Sequence, residues 1–531
     1  MLLVVIVAFA AACFVLIGTP HGIGESDDSS HYLSAAMNLR AGNGLDVAFS
    51  SSFDRVPVAK ALAGDTRVPL THFPPGYPIA IATADLVTPG GVAAAARVVG
   101  AATLALLVIV GATLAIQLGA RGALAPAGVG AAVAASPALL HISRWAMSDA
   151  LAATLAVGAI AVAALPHRRD HHRRVLVIAA TVAALAAMTR YAGAAAAVAV
   201  VVVLDDSSAP PRRRLRDAIS VVMVTVVSLA AFITLGKIRH GDGARPVAWH
   251  PLGFDEARAF VGTIGSWVIG DRSDTAMRFA AMVVIALVAF ATRRLWSMRS
   301  TLDPATRSPE RPRVVPSASR VGASLGALAL AHMAILIITR TWLDADISAD
   351  RRLLLPIEIV VVVVVASWFV TVRRVDRALG FAVLVTLVGA RAFTPTNPLP
   401  EGIGSPPPPH APNELHAYVL TLPSDTVLVT NAPEALWRET RRGSIYAPDP
   451  YAKLSGRFVD GQRLAEQLGE MGRLAGARGA VLVVERLVLF GITIESPRVL
   501  SPLQIERYLP CAEVKLDVAA GVLYDLSPCA T

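Results

Sequence analysis

Three acids, Glu25, Asp27 and Asp28, crowd into "GIGESDDSSHYL" just after the first apolar run of the chain. A carboxylate so placed can take a proton from a hydroxyl, the work of a general base. Three later segments bring groups of matching chemistry, and a fourth adds a second acid. "THFPPGYP" sets His72 and Tyr77 around a proline-stiffened turn. "RWAMSDAL" carries Asp149, "MTRYAG" carries Arg190 and Tyr191, and "DRRLLLP" carries Arg351 and Arg352, each at the end of an apolar run. Arginine suits an anionic phosphate, because its planar fork grips two oxygens and never deprotonates. Singly, each residue has an ordinary explanation: an acidic loop that caps a helix, an arginine snorkelling from a helix end, a histidine on a surface loop. Together they put acids and arginines at one depth on one face, which points to a base working beside a phosphate site. Carboxylates alone define no cation site; if a divalent cation binds, Asp27, Asp28 and Asp149 are its candidate ligands.

The elements that must position these residues are membrane helices. The 531 residues are 54% hydrophobic and only 16% charged, which argues against a water-soluble chain. Runs such as 92–118, 175–204 and 353–370 are long enough to cross a hydrocarbon core of about 30 Å. The expected class is therefore a mainly α, polytopic membrane protein with about eleven transmembrane helices. They are placed at 2–18, 92–118, 122–140, 145–165, 175–189, 191–204, 217–236, 276–292, 321–339, 352–371 and 378–393. The stretch 175–204 is interrupted by Arg190, and as one helix it would measure about 45 Å. One helix would also put its two basic flanks on opposite sides, so two short spans turning near Arg190 are expected. Asp28 is the expected N-cap of an amphipathic helix over 29–39.

Arginine clusters set the sidedness. Those within 168–174, 212–216, 293–320 and 373–377 belong on the cytoplasmic face, which accounts for the net charge of +9 without a nucleic-acid partner. The first span lacks the basic n-region of a cleaved signal, and Cys13 lacks the usual Leu of a lipoprotein site, so this span is expected to stay as an anchor. Residues 19–91, 237–275, 340–351 and everything after 393 then face outward. The expected organisation is a transmembrane catalytic domain over 1–393, a proline-rich linker over 394–412 and an extracytoplasmic α/β domain over 413–531. In that last domain the pattern predicts helices at 413–422, 433–440 and 461–475, and strands at 426–430, 480–485 and near 514 and 522. Cys511 and Cys529 both fall there, and a disulfide between them suits an oxidising compartment. The chain shows no P-loop and no strand-bound glycine-rich turn, so its donor must arrive through the membrane.

Taken in order, these motifs resemble the C-type (GT-C) glycosyltransferases that use polyprenyl-phosphate sugars, the aminoarabinose-transferase-like and protein O-mannosyltransferase-like families. Asp28, Tyr32, Ala35 or Ala36, Leu39, Gly42 and Gly44 match the acidic motif that follows their first span. "PPGYP" from Pro74, "SDAL" from Ser148 and "TRYAG" from Thr189 are similar to three further elements, the second with Asp where Glu is common. "RRLLLP" from Arg351 looks like their "RYLLP", with Arg352 where Tyr is usual, and 422–442 looks like the soluble tail of many members. The resemblance implies a sugar moved from a polyprenyl-phosphate donor to a hydroxyl of a cell-envelope glycan, lipid or protein, on the outer face of the lipid bilayer. In that reading Asp28 is the base, with Asp27 beside it. His72, Tyr77, Asp149, Arg190, Tyr191, Arg351 and Arg352 serve substrate and phosphate. No organic cofactor is implied. Only four of the 48 basic residues are Lys, the codon habit of a GC-rich bacterium, so the expected location is a bacterial plasma membrane.

Two other classes compete. A transporter or flippase of lipid-linked glycans would need polar groups in mid-bilayer, whereas these charges gather at outer helix ends. A non-catalytic envelope scaffold would tolerate loss of Asp28. The topology is tested by cysteine accessibility: with an impermeant reagent on intact cells, Arg173→Cys should stay unlabelled while His250→Cys and Asp449→Cys react. Labelling at 173 would reverse the orientation.

Overall fold

In the computed structural model the apolar runs become helices packed by small side chains. The structure describes residues 1–20, 22–49, 66–70, 73–168, 171–205, 209–240, 249–251, 253–269, 281–282, 313–314, 316–343, 352–371, 413–452, 457–489, 492–494 and 500–530. Thirteen helices are described before residue 372: α1 (Leu2–Ile17), α2 (Asp27–Arg40), α3 (Gly76–Asp85), α4 (Gly91–Gln117), α5 (Leu124–Ala134), α6 (Pro137–Ile142), α7 (Ser148–Ala163), α8 (His172–Thr189), α9 (Ala195–Leu204), α10 (Pro211–His240), α11 (Phe254–Ile269), α12 (Ala318–Trp342) and α13 (Leu355–Thr371). Their shared core is rich in Ala, with Ala153, Ala159, Ala179, Ala183, Ala196 and Ala199 all buried. Small residues let helix axes approach closely, which is how helices pack when lipid removes the hydrophobic drive between them. The outer faces are apolar too. Leu215, Ile219, Val226 and Val227 of α10 are exposed, as are Leu2, Val5, Ile6 and Phe9 of α1, a surface suited to hydrocarbon.

Among the described residues, four helices are long and apolar enough to cross a membrane: Gly91–Gln117, His172–Thr189, Pro211–Gly236 and Ala318–Trp342. Five further apolar helices are shorter, at 10–17 residues. The expectation of eleven full spans is therefore corrected to these four. The shortening has local causes. The run 122–140 divides because Ser136 caps a new helix, its side chain accepting from the Leu139 amide. The run from 145 turns helical only at Ser148, since Gly24 pairs with Trp145 as a parallel β-bridge. At Arg190 the backbone goes extended between α8 and a 3-10 turn, Tyr191–Ala194, that leads into α9. Expected spans 276–292 and 378–393 lie outside the described residues, save Ala281 and Met282 in the first, and so does the linker 394–412.

The last part of the chain is built around a five-stranded mixed sheet. Its strands are β1 (Leu428–Thr430), β2 (Ile445–Tyr446), β3 (Val481–Glu485), β4 (Glu513–Val518) and β5 (Gly521–Asp525), in the order β4-β5-β3-β1-β2. β1 runs parallel to β2 and β3, while β5 runs antiparallel to β3 and β4. Helices α14 (Glu414–Thr421), α15 (Pro433–Thr440), α16 (Gly461–Gly476) and α17 (Pro502–Tyr508) accompany it. Asp460 caps α16 by accepting from the Gln462 and Arg463 amides. Leu464, Leu468, Met471 and Ala475 form the buried stripe of α16 against Leu482, Val484, Val522 and Tyr524. Cys511 and Cys529 are joined in a disulfide across a separation of 18 residues. In the chain-entropy model such a closure removes roughly 3 kcal/mol of unfolded-state freedom. Mass mapping of the purified chain without reductant should recover the 511–529 linked peptides. Cys529→Ser should weaken this region by about 2–4 kcal/mol, read as faster proteolysis after residue 413; two free thiols in the native protein would refute the pairing.

Candidate active site

Backbone pairing first brings the acidic loop to the start of α7. The Gly24 amide donates to the Arg144 carbonyl at 2.8 Å, and the Ala146 amide returns to the Gly24 carbonyl at 2.9 Å. This sets Ser26 beside Met147, and Ser26, not Asp28, is the N-cap: its side chain accepts from the Ser29 amide. The expected cap is thus corrected by two positions. A serine oxygen meets the first free amides at lower desolvation cost, and both aspartates move into the first turn, where the helix dipole favours negative charge. Asp28 is left free to look outward from the helix.

Its partner is Arg352, whose Nη1 donates to Asp28 Oδ2 at 2.6 Å. A second pair lies beside it, Arg190 Nη1 to Asp149 Oδ1 at 2.8 Å. The pairs differ in access. Asp149 is 2% exposed and Arg190 21%, against 23% and 33% for Asp28 and Arg352, so Asp28 is the carboxylate a substrate can reach. Ser148 links the two halves: its hydroxyl lies 2.8 Å from the Tyr32 hydroxyl and accepts from Arg190 Nη1 at 3.4 Å. Tyr32 sits four positions after Asp28 on α2, wholly buried, with its ring against Phe73 and edge-on to Tyr77. Burial pushes both phenols well above their ordinary range, so they stay protonated as hydrogen-bonding walls rather than bases.

Two glycines make the arrangement possible. A Cβ on Gly76, in the "PPGYP" element, would stand 2.7 Å from the Met188 carbonyl, so α3 can begin against the end of α8 only with glycine there. A Cβ on Gly193 would meet the Ala186 carbonyl at 2.2 Å, so the turn that follows Arg190 folds back tightly onto α8. The elements that look separate in sequence are thereby stacked around one space, lined by Asp149, Arg190, His332, Arg352, Leu353 and Pro356.

Of the residues singled out from sequence, Asp28, Asp149, Arg190 and Arg352 come together, with Tyr77 behind them. Tyr191 opens the 3-10 turn beside Arg190 and is half-buried. His72 and Arg351 lie outside the described residues. Asp27 points elsewhere: it is 75% exposed and faces Arg438 at 3.4 Å. Asp27, Asp28 and Asp149 therefore form no cation cage, since each carboxylate faces a different guanidinium. Among the described residues no three His, Cys, Asp or Glu side chains gather as a metal ion would require.

Sequence reasoning missed the part played by the last region. Helix α15 lies over α2, with Arg441 Nη2 on Glu25 Oε1 at 2.8 Å, Arg438 on Asp27, and Glu434 Oε1 3.3 Å from His31 Nε2. Ser30 Oγ donates to the Glu434 carbonyl at 3.2 Å. Trp437 is buried among the loop's aromatics, 5.9 Å from Phe49 between ring centres, with Arg441 stacked on its face. The signals in sequence were the likeness of 422–442 to a family tail and a tryptophan set among charges in "EALWRETRR", neither of which says where the segment docks. Its partners are about four hundred positions away, beyond any local pattern.

Comparison with solved structures places the fold. An oligosaccharyltransferase from Archaeoglobus fulgidus, in complex with Zn and sulfate, matches over 91% of this chain and 68% of its own at 12% identity, with a TM-score of 0.52. Arabinofuranosyltransferase AftD from Mycobacteria matches over 98% of this chain, at 14% identity and a TM-score of 0.52; this chain spans 40% of that one. ArnT from Cupriavidus metallidurans, in the apo state, aligns over 99% of this chain and 98% of its own at 16% identity and a TM-score of 0.47. No protein-family model and no curated protein sequence matches the chain. The chain therefore shares the fold of the Archaeoglobus fulgidus oligosaccharyltransferase and of AftD, the fold that the resemblance read from the motifs implies.

The buried pair makes its own prediction. Asp149→Ala strands the Arg190 charge in an apolar setting and should destabilise the chain by about 3–5 kcal/mol. Asp149→Ala combined with Arg190→Ala should lose clearly less than the sum of the single changes. Denaturant titration of the purified protein reads both; simple additivity would show that the two side chains do not interact.

Proposed function

We propose that this chain is a membrane glycosyltransferase that moves a sugar from a polyprenyl-phosphate donor to a hydroxyl of an envelope glycan, lipid or protein. The observation that carries the reading is the two carboxylate–arginine pairs, Asp28–Arg352 and Asp149–Arg190, side by side at helix ends of a GT-C fold. The donor phosphate enters beside Arg352 and Arg190. Arg352 exchanges the Asp28 carboxylate for a phosphate oxygen, and Asp28 is then free to accept a proton. The acceptor oxygen attacks the anomeric carbon, the bond from that carbon to the phosphate oxygen breaks, and the acceptor proton passes to Asp28. Attack from the face opposite the phosphate inverts the anomeric centre. The polyprenyl phosphate leaves with one more negative charge, which the two guanidinium groups stabilise. Asp149 keeps Arg190 oriented, and Ser148 and Tyr32 hold that pair in register with α2.

In this reading the four long apolar helices cross a bacterial plasma membrane. Residues 413–531 then stand on the outer side, after a linker over 394–412, and α15 roofs the acceptor side of the site. His72, Tyr191 and Arg351 border the donor, and Asp27 tunes the field around Asp28.

Asp28→Asn preserves shape and removes the basic oxygen. With a panel of radiolabelled polyprenyl-phosphate sugars and native membranes, the wild-type chain should give one labelled product. Asp28→Asn should insert and accumulate normally while turnover falls at least about a hundredfold, the general base's usual 10²- to 10⁴-fold share. Asp27→Asn should lose much less. Retention of more than about a third of the wild-type rate by Asp28→Asn would remove Asp28 as the base.

A further inference from the structure

His332 sits inside the apolar helix α12, 4% exposed, where a polar ring needs a reason. Its Nε2 lies 2.8 Å from the Leu353 carbonyl, the residue directly after Arg352. The backbone of Ala192, two residues after Arg190, is a second hydrogen-bonding neighbour of the same ring. Around it, Ala192, Leu336, Leu353 and Leu354 form one small buried cluster. A single side chain therefore touches both segments that carry the arginines, and it lines the same space as Arg190, Arg352 and Asp149. The two guanidinium groups are near enough for their charges to repel, and while each has its own carboxylate, the backbone that carries them also has to be held in register.

Resting on the proposed function, we propose that His332 is a positioning residue for donor binding. It pins the segment after Arg352 to the turn after Arg190, so that both guanidinium groups can grip one lipid phosphate. His332 makes no contact with the reacting atoms; its N–H donates to the Leu353 carbonyl, one residue beyond Arg352, and so ties down the backbone that carries Arg352. Because the arginines are held before the donor binds, loss of the pin acts on donor affinity more than on the chemical step.

The test uses the full-length chain in detergent and a polyprenyl monophosphate alone, with binding read by quenching of intrinsic tryptophan fluorescence. His332→Phe keeps a ring and removes the donor; it should weaken the Kd by about tenfold, while turnover at saturating sugar donor falls less than about threefold. His332→Gln restores an N–H and should bring the Kd back to within about threefold of wild type. A purely structural role would instead lower yield and melting temperature in both variants with no such split. Equal binding by wild type and His332→Phe, or equal loss in the Phe and Gln variants, overturns the inference. If His332→Phe does not fold, His332→Leu replaces it in the same comparison with His332→Gln. A wild-type chain that does not bind polyprenyl monophosphate overturns the donor reading itself and this inference with it; wild-type binding that His332→Phe leaves untouched overturns only this inference.

Discussion

A charge cannot be taken out of water alone, and this constraint organises the described part of the molecule. Arg190 lies where an apolar helix breaks, with little solvent access, and the Asp149 carboxylate, with the Ser148 hydroxyl, makes its burial tolerable. Asp149 must then open α7, which requires that helix to start late, at Ser148, and the late start follows from the strand-like pairing of Gly24 with Trp145. That pairing in turn delivers the acidic loop to the same place. The more exposed Asp28–Arg352 pair repeats the arrangement with a lower desolvation penalty. One carboxylate is nearly closed to solvent, and the other stays within its reach.

Much of this was legible in the residues. The spacing of Asp28 and Tyr32 is a helical i, i+4 relation, so both were bound to share one face of α2. Arg190 in the middle of thirty apolar residues could only mark a break. Arg352 before a long Leu and Val run could only mark a helix end. The resemblance to GT-C glycosyltransferases rested on those same residues, and it holds for the fold.

Other features were hidden for physical reasons. Ser26 and Asp28 are both good caps, and sequence does not weigh an oxygen that is easy to desolvate against one that prefers a salt bridge. The break at Ser136 looked like mid-helix because Ala and Leu continue on both sides of it. His332 is one polar residue in an apolar run, and its neighbours, the Leu353 carbonyl and the backbone of Ala192, come from other segments. The three candidate cation ligands each face a guanidinium, and those pairings, between segments far apart in sequence, become visible only in the folded chain.

The docking of α15 on α2 has a consequence for how the molecule is made. Ser30 and Glu434 are separated by 404 residues, and Trp437 completes an aromatic cluster begun by Tyr32 and Phe49. Every other member of that cluster leaves the ribosome long before the tryptophan does. Until then the loop waits with a hole in its packing and with Glu25 and Asp27 uncovered. Closing so long a loop is slow compared with forming helix contacts near in sequence. Biogenesis therefore has a late, separate step, in which a nearly finished helical bundle receives its roof, and a nascent chain truncated before residue 433 would carry both arginine pairs but lack the surface above them.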